Sequence, residues 1–315
     1  MKQQLSQKIG LEVLENEPLA KYTTFKIGGP AKFLVKVNNK IDLYKAVKAA
    51  RELKLSFFIL GGGSNVLVSD NGYDGLVIKL DEGQTEFSTS SAKVFAGNSW
   101  SGFIRDSVKH GLGGLEFGAN IPGTVGGAVY GNAGAYGQGA GDYVDRVEII
   151  DVEGEEVSLI VLSKEECEFA YRESLFKKNK HWIIAEVVFR LIADTNAAEK
   201  LEQIEDEWNK RMCSQPLNLP SAGCSFKNLL YTPELEKYKD WEIKGKLPAA
   251  KFIEELELKG KKIGGAMISD VHANFIVNFD NATADNVMQL ISLVKTKVRD
   301  KFGVQLEEEV QYVGF

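Results

Sequence analysis

The chain has 315 residues, enough for two or three domains, and its 44% hydrophobic and 26% charged residues are ordinary for a globular protein. A formal net charge of −6 argues against nucleic acid or an anionic membrane as the main partner. Glycine is the anomaly, 31 residues against 7 prolines, with no low-complexity repeat to absorb them.

The N-terminal stretch MKQQLSQKIGLEVLENE lacks the apolar core of a signal peptide. No run approaches the roughly 18 uncharged apolar residues of a membrane span. Three cysteines, Cys167, Cys213 and Cys224, with no C-x-x-C spacing argue against a disulfide framework or a zinc site, so no metal is expected. A reducing, cytoplasmic location is the expectation.

In chain order, residues 31–37 read as a strand. IDLYKAVKAARELKL follows as a helix with Leu43, Ala46, Val47 and Ala50 on one face. SFFIL is a short buried strand that runs into GGGSN. GLVIKL and KVFAG read as strands, and WSGFIRDSVKHGLGGLEF as a helix that stops at glycine. DRVEIIDVEGEEVSLI reads as a hairpin turning at Glu153-Gly154, and WIIAEVVFRL as a strand. Beyond a boundary near 195–200, AEKLEQIEDEWNKRM carries Leu201, Ile204, Trp208 and Met212 on one helical stripe. ADNVMQLISLVKTKVRDKF is a second amphipathic helix.

Two glycine systems stand out. In FFILGGGSNVLVSD, Gly61, Gly62 and Gly63 let the main chain press against a ligand, and their N–H groups suit a pyrophosphate, with Ser64 and Asn65 adding polar contacts. A tight strand-to-strand turn would account for this run equally well. The second system argues against that bland reading, because residues 111–141 hold twelve glycines. In GLEFGANIPGTVGGAVYGNAGAYG, Gly118, Gly123, Gly126, Gly127, Gly131 and Gly134 alternate with small residues over more than one turn, as a backbone-lined groove for a large flat ligand requires. Neither G-x-G-x-x-G nor G-x-x-x-x-G-K-[ST] occurs, so a Rossmann dinucleotide site and a P-loop are both excluded. A dinucleotide on a non-Rossmann glycine scaffold is what remains.

LGGGSNVLVSD, the second glycine system, FAYRES, SAGCSFKN, ISDVHANFIVN and FGVQLEEEV, taken in order, resemble the successive motifs of the UDP-N-acetylenolpyruvoylglucosamine reductase family, from about Thr23 to Gly314. The resemblance implies an α+β protein. Two subdomains would form an FAD-binding fold of the vanillyl-alcohol-oxidase type, and a smaller α+β domain would bind substrate. The expected domains are 1–80, to which the tail 304–315 returns, then 81–196 and 197–303. It implies reduction of UDP-N-acetylglucosamine enolpyruvate to UDP-N-acetylmuramate with FAD and NADPH, by a monomer, in peptidoglycan precursor synthesis. By the same resemblance Gly61 to Asn65 would cradle the FAD pyrophosphate. Pro122, Gly123, Thr124, Gly126, Gly127, Asn132, Ala133 and Gly134 would line the isoalloxazine and ribityl side.

The family reaction needs a fixed cation, a hydrogen-bonding carboxyl group and a proton donor. Arg172 in YRES matches the cation, and a permanently charged fork suits a carboxylate gaining charge; in isolation it reads as a strand-end salt bridge. Glu309 matches the glutamate of the L-x-x-E-V pattern, although three adjacent acids also describe a solvated edge. Strand alternation would put Glu307 and Glu309 on one face and Glu308 on the other. Tyr171, Lys227 and Asn228 match substrate-contacting positions; His272 and Asn274 lie in a matching motif without an assigned role.

In SAGCSFKN the family's donor position, usually serine, holds Cys224, with Ser225 next. Shifting the register to recruit Ser225 would move FKN out of match, so Cys224 is the expected donor. A free thiol with pKa about 8.5 is mostly protonated at neutral pH and can serve. Two departures stand at Ala250 and Glu257, where relatives often have glycine, and the extra substrate-capping tyrosine loop of another family branch is missing. The alternatives are a different FAD-dependent oxidoreductase of the same fold, or a non-catalytic flavin-binding or small-molecule-binding protein.

Overall fold

The computed structural model describes residues 1–154, 156–193 and 196–315. The chain forms two compact units. The first comprises Met1–Glu17, Ala31–Gly62 and Asp74–Asn209; the second comprises Pro18–Pro30, Gly63–Tyr73 and Lys210–Phe315.

Two larger sheets organise the first unit. One has strands in the order Val13–Pro18, Pro30–Val37, Tyr73–Leu80, Phe57–Leu60, with a parallel register that sets Phe57 beside Leu76. The helix Lys40–Glu52 begins at Asn39, whose side chain accepts from Asp42 N–H, and buries Leu43, Ala46, Val47 and Ala50. That is the face its spacing predicted. The second sheet is antiparallel, in the order Ser158–Ser163, Val144–Asp151, Trp182–Arg190, Ser91–Phe95, Thr85–Phe87. Its central strand, Trp182–Arg190, is buried at Ile183–Ala185 and Val187–Phe189, the apolar stretches on either side of Glu186. The helix Trp100–Lys109 stops at His110 and Gly111, the latter at φ +75°. Glu155, in the turn after Glu153-Gly154, and Asp194 and Thr195, at the expected domain boundary, lie outside the described residues.

The predicted stripe on the helix Ala197–Ser214 is only half used. Ile204 is buried and Leu201 packs against the core, but Trp208 is 36% and Met212 55% exposed. Helical spacing places these residues on one face; it does not decide how far a packing partner runs along it.

The second unit is built on an antiparallel sheet ordered Ser221–Cys224, Phe275–Asn278, Ala266–Ile268, Lys262–Ile263. The helix Ala284–Phe302 packs on it, started by a reciprocal Thr283/Asn286 capping box and ended by Gly303 at φ +69°. The C-terminal strand Gln311–Val313 pairs in parallel with Val66–Val68, directly after the first glycine run. Glu257 adopts φ +55°, so the backbone at that position keeps a left-handed turn although a side chain now occupies it.

Candidate active site

In the first unit the two glycine systems meet. A Cβ on Gly61 would lie 2.5 Å from Thr124 Oγ1, and one on Gly62 would lie 2.8 Å from Gly123 Cα. The two main chains therefore touch at positions where only glycine fits. The Gly123–Thr124 backbone is itself pinned: Trp100 N–H donates to Gly123 C=O and Val125 N–H donates to Asn98 C=O. Among the described residues, the N–H groups of Gly61, Gly62 and Gly63 donate to no other backbone group. A glycine run whose N–H groups are not taken up by other backbone groups fits an anionic dinucleotide such as FAD.

Other glycines of the second system serve packing. A Cβ at Gly118 would strike the Trp100 indole, at Gly126 the Ala96 methyl, and at Gly134 the Gln138 carbonyl. Gly127 is exposed, and its N–H is taken by Thr124 Oγ1, which caps the short helix Val125–Tyr130. Asn132, at φ +43°, donates from Nδ2 to Ala170 C=O at 2.8 Å and accepts at Oδ1 from Gly141 N–H at 2.9 Å. Its neighbour Ala133 receives Ala140 N–H at its carbonyl, and Pro122 is exposed.

That Asn132 bond steadies the turn carrying Arg172. Ala170 and Glu173 exchange two backbone hydrogen bonds, leaving Tyr171 and Arg172 at the tip. Arg172 sits at φ +55°, a conformation that costs a non-glycine residue roughly 1–2 kcal/mol. Its Nη1 donates to Gly134 C=O at 3.0 Å, its guanidinium carbon lies 5.6 Å from the centre of the Tyr171 ring, and Lys177 Nζ donates to its carbonyl. A strained, multiply held arginine marks a site whose geometry matters. Neither the positive φ of Arg172 nor its bracing by Asn132 has a signature in the local sequence.

In the second unit the structure joins the Cys224 and Glu309 segments. Glu309 N–H donates to Ser225 C=O at 2.9 Å, Lys227 N–H donates to Glu307 C=O at 2.8 Å, and Phe226 forms a bridge with Glu308. Asn65 belongs to the same cluster, donating from Nδ2 to Glu309 C=O at 3.0 Å. The three acids diverge. Glu307 pairs with Lys227 at 2.6 Å and is 72% exposed at its side chain, whereas Glu308 pairs with Lys295 at 2.5 Å and bonds the Tyr312 hydroxyl. Burial together with the Glu308 contact pushes that phenol well above its usual range. Glu309 is half-buried.

Cys224 is half-buried and outside any disulfide, at the end of its strand, paired with Phe275, after a register break at Gly223, φ +78°. Ser225 stands across from Glu309 but is 3% exposed. Asn228 Oδ1 accepts from Ala249 N–H, the first residue of the helix Ala249–Glu254. Burial pushes the Cys167 thiol up to about 12, with Glu166 and Glu165 adding to it, so that cysteine stays protonated.

A non-Rossmann flavin-binding fold followed by a substrate domain is the class these features define, and sequence and structure comparisons agree. Residues 31–159 match the FAD binding domain family, and residues 215–313 match the family described as UDP-N-acetylenolpyruvoylglucosamine reductase, C-terminal domain. The UDP-N-acetylenolpyruvoylglucosamine reductase of Carboxydothermus hydrogenoformans is 40% identical, over 100% of this chain and 98% of its own length. That of Solibacter usitatus is 39% identical over 96% of this chain and 97% of its own. The crystal structure of the Thermus caldophilus enzyme superimposes with a TM-score of 0.73 at 31% identity, covering 96% of this chain and 98% of that one. The chain belongs to the UDP-N-acetylenolpyruvoylglucosamine reductase family.

Proposed function

We propose that this chain reduces UDP-N-acetylglucosamine enolpyruvate to UDP-N-acetylmuramate at the expense of NADPH, in peptidoglycan precursor synthesis. Gly61 to Asn65 would hold the FAD pyrophosphate, and the Pro122–Gly134 loop, through Gly123, Thr124, Gly126, Gly127, Asn132, Ala133 and Gly134, would border the ring. When bound, FAD supplies the hydride chemistry, taking a hydride from NADPH and delivering one to C3 of the enolpyruvyl group. Every other task falls to the protein's own side chains.

Negative charge develops on the substrate carboxylate as C3 gains hydride. The Arg172 guanidinium, held at its strained turn, stabilises that charge, and the Glu309 carboxyl group, when it carries a proton, donates a hydrogen bond to the enolate oxygen. The Cys224 S–H then gives its proton to C2, and the thiolate is reprotonated from solvent. Tyr171, Lys227 and Asn228 would contact the nucleotide sugar, with Lys227 exchanging its Glu307 partner for phosphate. We place the reaction in the cytoplasm, carried out by a monomer, in keeping with three free cysteines.

One observation carries the donor assignment. Cys224 is half-exposed beside a Ser225 that is 3% exposed, and the Glu309 segment is hydrogen-bonded to that stretch of chain. The test separates the two half-reactions. Cys224→Ala is expected to let NADPH bleach the flavin at the wild-type rate while product formation falls by about a hundredfold or more. Cys224→Ser should retain substantial turnover, and Ser225→Ala nearly all of it. Equal turnover by Cys224→Ala and wild type would sink the assignment.

A further inference from the structure

Asn274 lies in the turn before the strand Phe275–Asn278 and is 2% exposed. Its side chain clamps a single residue. Oδ1 accepts from Phe226 N–H at 3.0 Å, and Nδ2 donates to Phe226 C=O at 2.8 Å. Its own carbonyl accepts from Ser225 N–H at 2.7 Å, and its N–H donates to His272 Nδ1 at 3.2 Å. The polar groups of this buried amide thus go largely to the two residues after Cys224.

The clamp falls where the segment changes partners. Ser221 and Cys224 pair with Val277 and Phe275, with the register broken between them. From Ser225 onward the chain pairs with Glu307–Glu309 instead. A ladder that breaks and changes partner specifies its own register weakly. A slip by one residue would turn every side chain to the opposite face, and here it would exchange a thiol for a hydroxyl. The Asn274 amide supplies one acceptor and one donor, matched to the N–H and C=O of one residue. A carboxylate lacks the donor, and an alkyl chain lacks both.

We infer that Asn274 is a positioning residue: it fixes the register of residues 224–228 and so presents Cys224, and not Ser225, as the half-exposed side chain. The register inference stands on geometry; only its kinetic consequence rests on the donor reading above.

Holoprotein of wild type, Asn274→Asp and Asn274→Ala is treated with iodoacetamide, and alkylation of each cysteine is followed by mass spectrometry. Cys213, which is exposed, provides the reference rate; buried Cys167 reports loss of fold in the first unit, and circular dichroism of the whole chain reports it in the second. The expected result is an alkylation rate of Cys224, relative to Cys213, about tenfold lower in the variants, with Cys167 still protected. An unchanged or higher relative rate at Cys224 with Cys167 protected overturns the inference. A second readout holds if Asn274→Ala exposes Cys167. Ser225→Ala is expected to be silent in the wild-type background and to cut product formation in Asn274→Asp, where the slipped hydroxyl takes over. The same effect in both backgrounds overturns the inference. Failure of the donor reading would look different: Cys224→Ala would turn over normally while the alkylation pattern remained as expected.

Discussion

Arg172 occupies a backbone conformation that glycine would adopt without strain, and it is held there by the Ala170–Glu173 turn and the Asn132 amide. Relief of strain worth roughly 1–2 kcal/mol should offset the lost side-chain hydrogen bond in Arg172→Gly. Unfolding in urea is therefore expected to show a stability within about 1 kcal/mol of wild type, while substrate reduction falls by about 10²- to 10³-fold. A variant that loses stability and activity together would mark Arg172 as structural. The residue type and its motif were legible in the sequence. The positive φ was not, because a turn closed by a distant asparagine leaves no local signature. The split among Glu307, Glu308 and Glu309 was half legible: alternation set Glu308 apart, but the positions of Lys227 and Lys295 decide which lysine Glu307 and Glu308 each take.

At the scale of elements, the strands and helices were readable wherever the determinant is local. The buried face of Lys40–Glu52, the glycine stop after Lys109 and the apolar stretches of Trp182–Arg190 each sit where the sequence puts them. The glycine anomaly was readable as a fact and only partly as a cause, since several of those glycines also relieve contact with Trp100, Ala96 or a carbonyl. The packing of Gly62 on Gly123 could not be seen in advance, because it joins residues 61 positions apart that no periodicity connects. Gly62→Ala must drive the two loops apart, since its Cβ would meet backbone 2.8 Å away. The purified variant is expected to fold and to carry less FAD than wild type, measured as the ratio of flavin to protein absorbance. Full flavin content would remove the loop contact from the account of the cofactor site.

At the scale of the whole molecule, the second unit is assembled from residues 18–30, 63–73 and 210–315, so much of its structure depends on segments far apart in the chain. Its half-buried His272 couples that unit to pH. Burial pushes the imidazole below its usual range, and Nδ1 accepts Asn274 N–H, which suits the neutral ring. The unfolded chain then binds the proton more readily than the folded one. The contribution to stability is complete above the unfolded value of about 6.5 and is lost as pH falls from there toward the lower folded value. Urea midpoints compared at about pH 7.5 and about pH 5.5 should fall less in His272→Gln than in wild type; an equal fall would mean the histidine is not the titrating group. The central claim is that one protein passes reducing equivalents from NADPH through FAD to an enolpyruvyl nucleotide sugar. Its most direct test is anaerobic: the purified yellow protein is bleached with one equivalent of NADPH and then mixed with UDP-N-acetylglucosamine enolpyruvate. Rapid return of the flavin's visible absorbance, with one UDP-N-acetylmuramate formed per flavin, is the predicted result. A flavin that stays bleached in the presence of that substrate would contradict the account.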